Sequence, residues 1–222
     1  MRSIAVCFLL LFTVSLPGCH NRQQRSVKAE TEVLQPKDST YLFNGVTLDG
    51  WEITNFGTQG QVNISDDEII LGMGDGCTGI TWKGDFPAAD YEVTLEAKKV
   101  DGNDFFCGMT FPVGEYPCTL IIGGWGGTVV GLSSINGLDA SENETTINRS
   151  FEKDRWYRIS LRVTVSKIEA RIDDEIVIDF TTDGNILSIR PEVELSKPFG
   201  IASWRTTASL RNIRVIPFSG NN

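Results

Sequence analysis

The stretch GGWGGTVVGLSSINGLDASENETT, Gly123 to Thr146, sets four glycines around Trp125 and then gathers Asn136, Asp139, Glu142, Asn143 and Glu144. Three chemistries compete for it. A phosphate loop needs Lys and Ser/Thr directly after the glycines, at a helix N-terminus, and β-branched residues follow here instead. An EF-hand loop needs oxygen ligands at alternate positions around a central Gly, a spacing these residues do not keep; a looser calcium site stays open. The third chemistry is sugar binding. An aromatic ring where glycines let the backbone bend is a platform for the CH face of a pyranose, and Asn136, Asp139, Glu142 and Asn143 can bind hydroxyls. The alternative is that Trp125 packs in the core above an exposed acidic loop.

Composition narrows the acid–base chemistry. The one histidine, His20, lies near the N-terminus, ahead of the patterned region, so a His base or a His-ligated metal within the domain is excluded. Carboxylates and lysine remain, with Asp104 and Glu142 among the candidate acid–base groups. Asp104 follows Gly102-Asn103 and either shapes a turn or sits at the lip of a groove beside Phe106. Cys77, in GMGDGCTG, has no base in view and reads as a thiol in a tight loop. In DFFCGMTFPVGEYPCTLII two strands flank a turn near Pro112-Val113-Gly114, and counting outward brings Cys107 opposite Cys118. That predicts a cross-strand disulfide, with two buried free thiols as the alternative.

The elements that must position these groups are strands. DYEVTLEAKKV alternates Tyr91, Val93, Leu95 and Ala97 against Glu92, Thr94, Glu96 and Lys98; RWYRISLRVTV sets Ile159, Leu161, Val163 and Val165 on one face. KIEARIDDEIVIDF reads as a hairpin turning at Asp173-Asp174, and SLRNIRVIPF alternates again around Ile213 and Val215. Short strands without intervening helices predict an all-β fold, an antiparallel two-sheet jelly-roll sandwich spanning residues 39–222. Trp51, Trp82 and Trp156 are assigned to its core.

Ahead of it, Arg2 and the apolar run Ile4–Leu16 form a secretory signal over residues 1–18, too short to span a bilayer comfortably. Leu16 and Gly18 before Cys19 resemble a bacterial lipobox, with Pro17 unusual between them. The expectation is a lipidated Cys19, a polar tether to residue 38, and a location at the bacterial cell envelope. The membrane is then met through the lipid only. A net charge of −9 without a basic stripe argues against nucleic acid as a partner.

YLFNGVTLDGW, Tyr41 to Trp51, resembles the opening L-F-N-G-x-x-L-x-G-W of the 3-keto-disaccharide hydrolase family. WYRISLRVTVSKIEARIDDEIVIDF and ASLRNIRVIPF are similar to its W-x-x-x-R-I strand with hairpin and its closing F-R-N-I-R-I-x-P-L. The glycine-rich stretch is similar to a secreted, planctomycete-type subgroup. The resemblance implies the concanavalin A-like lectin/glucanase jelly roll and cleavage of glycosides oxidised at C3. The ketone acidifies the C2 proton, so a base can remove it and expel the C1 substituent, water adding later. It also implies site residues. Glu96 and Lys98 match the family's E-x-R/K, as base and as polariser of the ketone, against a solvated strand face as the alternative. Trp204 and Arg205 fall where the family has a sugar-facing loop. The segment NDFFCGMTF lacks the arginine of the family's N-S-G-x-x-F-R. A non-catalytic carbohydrate-binding module is the rival reading. No cofactor is expected, with calcium left open.

Overall fold

A computed structural model describes residues 39–218. The expected signal segment, Cys19 and the tether lie outside the described residues. Fifteen strands follow in chain order: β1 Thr40–Tyr41, β2 Trp51–Ile53, β3 Val62–Ser65, β4 Glu68–Leu71, β5 Cys77–Trp82, β6 Tyr91–Gly102, β7 Cys107–Val113, β8 Tyr116–Gly124, β9 Val129–Ser133, β10 Ile147–Asn148, β11 Trp156–Val163, β12 Lys167–Ile172, β13 Glu175–Thr181, β14 Gly200–Trp204 and β15 Thr206–Pro217. One short 3-10 turn, Pro191–Ser196, precedes β14.

They form two antiparallel sheets. The eight-stranded sheet runs β13-β12-β11-β6-β15-β4-β3 with β1 added on β15, and the seven-stranded sheet runs β10-β9-β8-β7-β14-β5-β2. The expected sandwich is the observed one. In β6 the alternation decides the packing: Tyr91, Val93, Leu95 and Ala97 are buried while Glu92, Thr94, Glu96 and Lys98 are only partly covered. Leu95 lies across from Ile159 on β11, and Ala97 from Leu210 on β15, so three strands present one apolar surface to the core. The β12–β13 hairpin turns at Asp173-Asp174, both left-handed, as the sequence predicts. Val165 departs from expectation: β11 ends at Val163 and Val165 is exposed in the following turn.

The seven-stranded sheet behaves differently. From Cys118 to Gly124 every residue of β8 is buried, because both faces are covered. Cys118, Leu120 and Ile122 join the inter-sheet core, while Ile121 packs outward with Phe105, Val129 and Ala140. The 3-10 turn lies against the outward face further along, where Thr81 Oγ1 donates to the Leu195 carbonyl at 3.0 Å.

Several expectations are corrected here. The β7–β8 turn centres on Gly114-Glu115, so Cys107 lies across from Ile122 and Cys118 from Phe111. Both cysteines are free and buried, and the disulfide does not form. Phe106 is a core residue, edge-on to Phe151 at 5.1 Å between ring centroids, because the strand alternation turns it inward. Trp156 does the opposite: it is on the outward face of the eight-stranded sheet, between Lys98 Nζ at 4.6 Å and the Arg211 guanidinium at 4.1 Å. Its neighbour Tyr157 takes the core position.

Candidate functional site

The side chains on the outward face of the seven-stranded sheet are small where strands cross its middle. Gly79 and Ala202 pack so closely that a Cβ on Gly79 would stand 2.8 Å from the alanine methyl. The same face carries a cavity of about 190 Å³, lined by Cys77, Asp104, Phe105, Thr119, Ile121, Trp125, Ser133, Arg190, Glu192, Val193 and Trp204. Each wall comes from a different element: β5, the 103–106 connection, β8, the glycine loop, β9, the 3-10 turn and the end of β14.

Asp104 is pinned from both sides. Its own N–H donates to Thr206 Oγ1 at 3.1 Å, and the Phe105 carbonyl accepts the Trp204 N–H at 3.0 Å. Its carboxylate accepts the Phe105 N–H at 2.8 Å, and the backbone N–H groups of Gly126 and Trp125 are close enough to favour its ionised form. Burial raises its pKa above the ordinary carboxylate value of 3.8, and outweighs those three N–H groups and the Arg205 charge, which all pull the other way. The result is a positioned carboxyl with an elevated pKa at the edge of a cavity.

The glycine loop delivers those amides. Gly123, Gly126 and Gly127 all have positive φ, and Trp125 itself sits at φ 47°, a conformation costly for a bulky residue. The strain brings two successive N–H groups round to Asp104 and leaves the indole 41% exposed at the rim. Trp204, half-buried, lines the same cavity, and Arg205 beyond it is also left-handed at φ 45°.

A second carboxylate comes from the 3-10 turn. The Arg190 guanidinium donates to Glu192 at 2.9 Å and to Asp139, whose oxygens also accept from the hydroxyls of Ser133 and Ser134. That hydrogen bond lowers the pKa of Glu192 and holds it ionised, whereas Asp104 is raised. Cys77 lies within the field of both: burial first, then Glu192 and Asp104, push its thiol to about 12, so it stays protonated and is no nucleophile.

Of the residues the sequence singled out, the structure gathers Asp104, Trp125 and Trp204 at one cavity, with Asp139 just behind Arg190. The others lie elsewhere. Glu96 and Lys98 are on the outward face of the opposite sheet, Glu96 accepting from Arg211 at 2.6 Å and Lys98 pairing with Glu68 at 3.1 Å. That face carries a wider depression of about 570 Å³, lined in part by the exposed Tyr41, and arginine–carboxylate pairs criss-cross it. Asn143 is scaffold: its amide donates to the carbonyls of Leu132, Leu138 and Asp139, and its oxygen accepts from Thr145. Asn136 staples its turn to Asn185 and Ile186. Arg205 donates to the Asp75 carbonyl at 2.8 Å. Glu142 is exposed and does not line the cavity. Phe105, not Phe106, lines it. Arg190 and Glu192 were not legible, since IRPEVELS has neither strand period nor motif. Among the described residues no cluster of three or more His, Cys, Asp or Glu could hold a metal ion.

Solved structures with this architecture bear on the fold. A Bacillus subtilis protein of unknown function with a galectin-like fold superposes at TM-score 0.60 and 12% identity, covering 85% of this chain and all of that one. The carbohydrate-binding module CBM66 of Bacillus subtilis gives 0.52 and 17%, covering 75% and 95%. Bacillus licheniformis beta-glucanase gives 0.53 and 11%, covering 83% and 100%. At these identities the likeness shows the sandwich alone. No curated protein matches the sequence. Residues 38–216 match the sequence profile described as the 3-keto-alpha-glucoside-1,2-lyase-like domain, nearly the whole of the patterned region. The chain belongs to the family of 3-keto-alpha-glucoside-1,2-lyase-like domains.

Proposed function

We propose that this domain cleaves the glycosidic bond of 3-keto-glycosides, with Asp104 as the base. The observation that carries the reading is a carboxyl of elevated pKa, oriented by the Phe105 N–H, at a cavity rimmed by two indoles. A general base works best when its pKa approaches the operating pH, and burial moves Asp104 in that direction.

The electron flow needs no outside oxidant. Asp104 takes the C2 proton, the C2–H electrons pass into the C2–C3 enolate, and collapse of the enolate forms the C1=C2 bond as the C1–O bond breaks. The proton now on Asp104 is available to the departing oxygen. Water added across C1=C2 converts lyase product into hydrolysis product. Arg190 supplies the positive charge for the enolate oxygen, and Trp125 and Trp204 hold the ring by its CH faces. Incubating the purified protein with an aryl 3-keto-glucoside and following aglycone release tests this; Asp104→Asn serves as the inactive control.

A non-catalytic carbohydrate-binding role is the second reading, favoured by the exposure of Trp125 and by the absence of histidine from the domain. Binding of a 3-keto-glycoside without product would establish it. We also propose that Cys19 carries a lipid that holds the domain at the bacterial envelope, supported by Leu16-Pro17-Gly18-Cys19. Cys19→Ala is expected to release the protein into the soluble fraction. Calcium is kept as a possible stabiliser, to be tested by chelation.

A further inference from the structure

The outward face of the seven-stranded sheet is not an open trough. At one end Phe105 lies over Gly108, where a Cβ would come within 2.8 Å of the ring, and packs with Ile121, Val129 and Ala140 into a small apolar plug. At the other end the 3-10 turn sits on β5 and β14, so tightly that a Cβ on Gly200 would stand 2.8 Å from the Ser196 Cβ. Between the two blocks runs one tie. Arg190, at the entry to the 3-10 turn, is bound to Asp139 on the loop after β9, and Asp139 is anchored in turn by the Ser133 and Ser134 hydroxyls at 3.4 and 3.3 Å. Glu192 grips the same guanidinium from the turn side at 2.9 Å.

We propose that the Arg190–Asp139 bridge is a specificity-determining wall: it closes the face into a pocket for one pyranose ring and confines the domain to terminal glycosyl units. This rests on the reading of the cavity as the sugar site. The remaining space, about 190 Å³, is below the ~300–1,000 Å³ of sites for drug-sized ligands and suits one ring rather than a chain crossing it. An internal residue of a glycan needs an exit on both sides, and the bridge with its two blocks leaves the exit past Trp125 and Trp204. Asp139 touches no ring in this arrangement. It is a positioning residue that acts by holding Arg190 across the face.

The test compares two ligands, a 3-keto-glucoside with the ketone on its terminal ring and a linear oligosaccharide with the ketone on an internal ring. Calorimetric Kd and product formation are measured with the full chain, its Asp139→Ala variant and its Asp139→Glu variant. Wild type is expected to favour the terminal ligand by at least about a hundredfold in Kd, and Asp139→Ala to narrow that ratio about tenfold by gaining on the internal ligand, while product formation from the terminal ligand falls because Arg190 is no longer held. Asp139→Glu, which can keep the bridge, is expected to restore the preference. Equal binding of both ligands by wild type overturns the proposal, as does an unchanged ratio in folded Asp139→Ala. If Asp139→Ala does not fold, the wild-type ratio alone decides. Binding of the terminal ligand without product would contradict the catalytic reading and leave the one-ring wall standing; binding of neither would contradict both.

Discussion

Asp104 and Trp125 line the same cavity, and the backbone N–H groups of Gly126 and Trp125 favour the ionised form of the Asp104 carboxyl, so the aromatic rim and the acid are direct neighbours. Trp125 is in the left-handed region at φ 47°, and the glycines on its C-terminal side, at φ 86° and 98°, carry the turn that makes this possible. A strained backbone is being held there by its neighbours, and what the strain delivers is the orientation of a carboxyl.

Asp104→Asn should abolish catalysis, by the ~10²–10⁴ typical of a positioned base, and yet raise the melting temperature at neutral pH. Because the folded state raises the pKa of Asp104 above 3.8, the proton-bound form is the one folding favours, and stability is lost as pH rises through the raised value. Asparagine never ionises, so the variant's advantage should appear at neutral pH and vanish in acid. Melting curves from pH 3 to 8 check it; a variant less stable at every pH would contradict the burial argument.

Activity of the wild type should fall on acidification through an apparent pKa above the ordinary carboxylate value, as Asp104 gains its proton. A pH profile of kcat/KM with an acid limb at or below 3.8 would point to another base.

Trp125→Gly separates the indole from the amide. Glycine accepts the left-handed φ without cost and keeps the N–H, so the expected outcome is a several-fold higher KM, about 1 kcal/mol, with the acid limb unmoved. Steady-state kinetics decide it. A moved limb with an unchanged KM would mean the indole is no platform.

Glu96→Gln should leave activity within error and cost ~0–1 kcal/mol, since it removes one strand-surface pair with Arg211 on the sheet away from the cavity. Phe106→Ala should cost ~3–5 kcal/mol because it empties core space beside Phe151 and Tyr157. Denaturant unfolding measures both. Large activity loss in Glu96→Gln would restore that residue to the site.

Strand periodicity made the sandwich legible, because β6, β11 and β12 of the eight-stranded sheet bury alternate residues and the apolar period survives in DYEVTLEAKKV. The inner strands of the seven-stranded sheet, β5, β7, β8, β9 and β14, are covered on both faces, so they carry no alternation to say which side holds the cavity. Asp104 and Trp125 could be named from turn chemistry and glycines. Their partnership could not, since it depends on two loops meeting at a sheet edge. That Glu96 and Lys98 lie on the sheet away from this cavity was not legible for a plain reason: a polar strand face is equally the face of a cleft or of solvent, and only the stacking order of the sheets tells them apart. Cys107 and Cys118 failed by register, where a turn displaced toward Glu115 moves every cross-strand partner.

The most direct test is aglycone release from an aryl 3-keto-glucoside by the wild type and by folded Asp104→Asn in parallel. The account predicts release with wild type and loss of nearly all of it with Asp104→Asn. Equal release by the two proteins would contradict the assignment of Asp104 as the base.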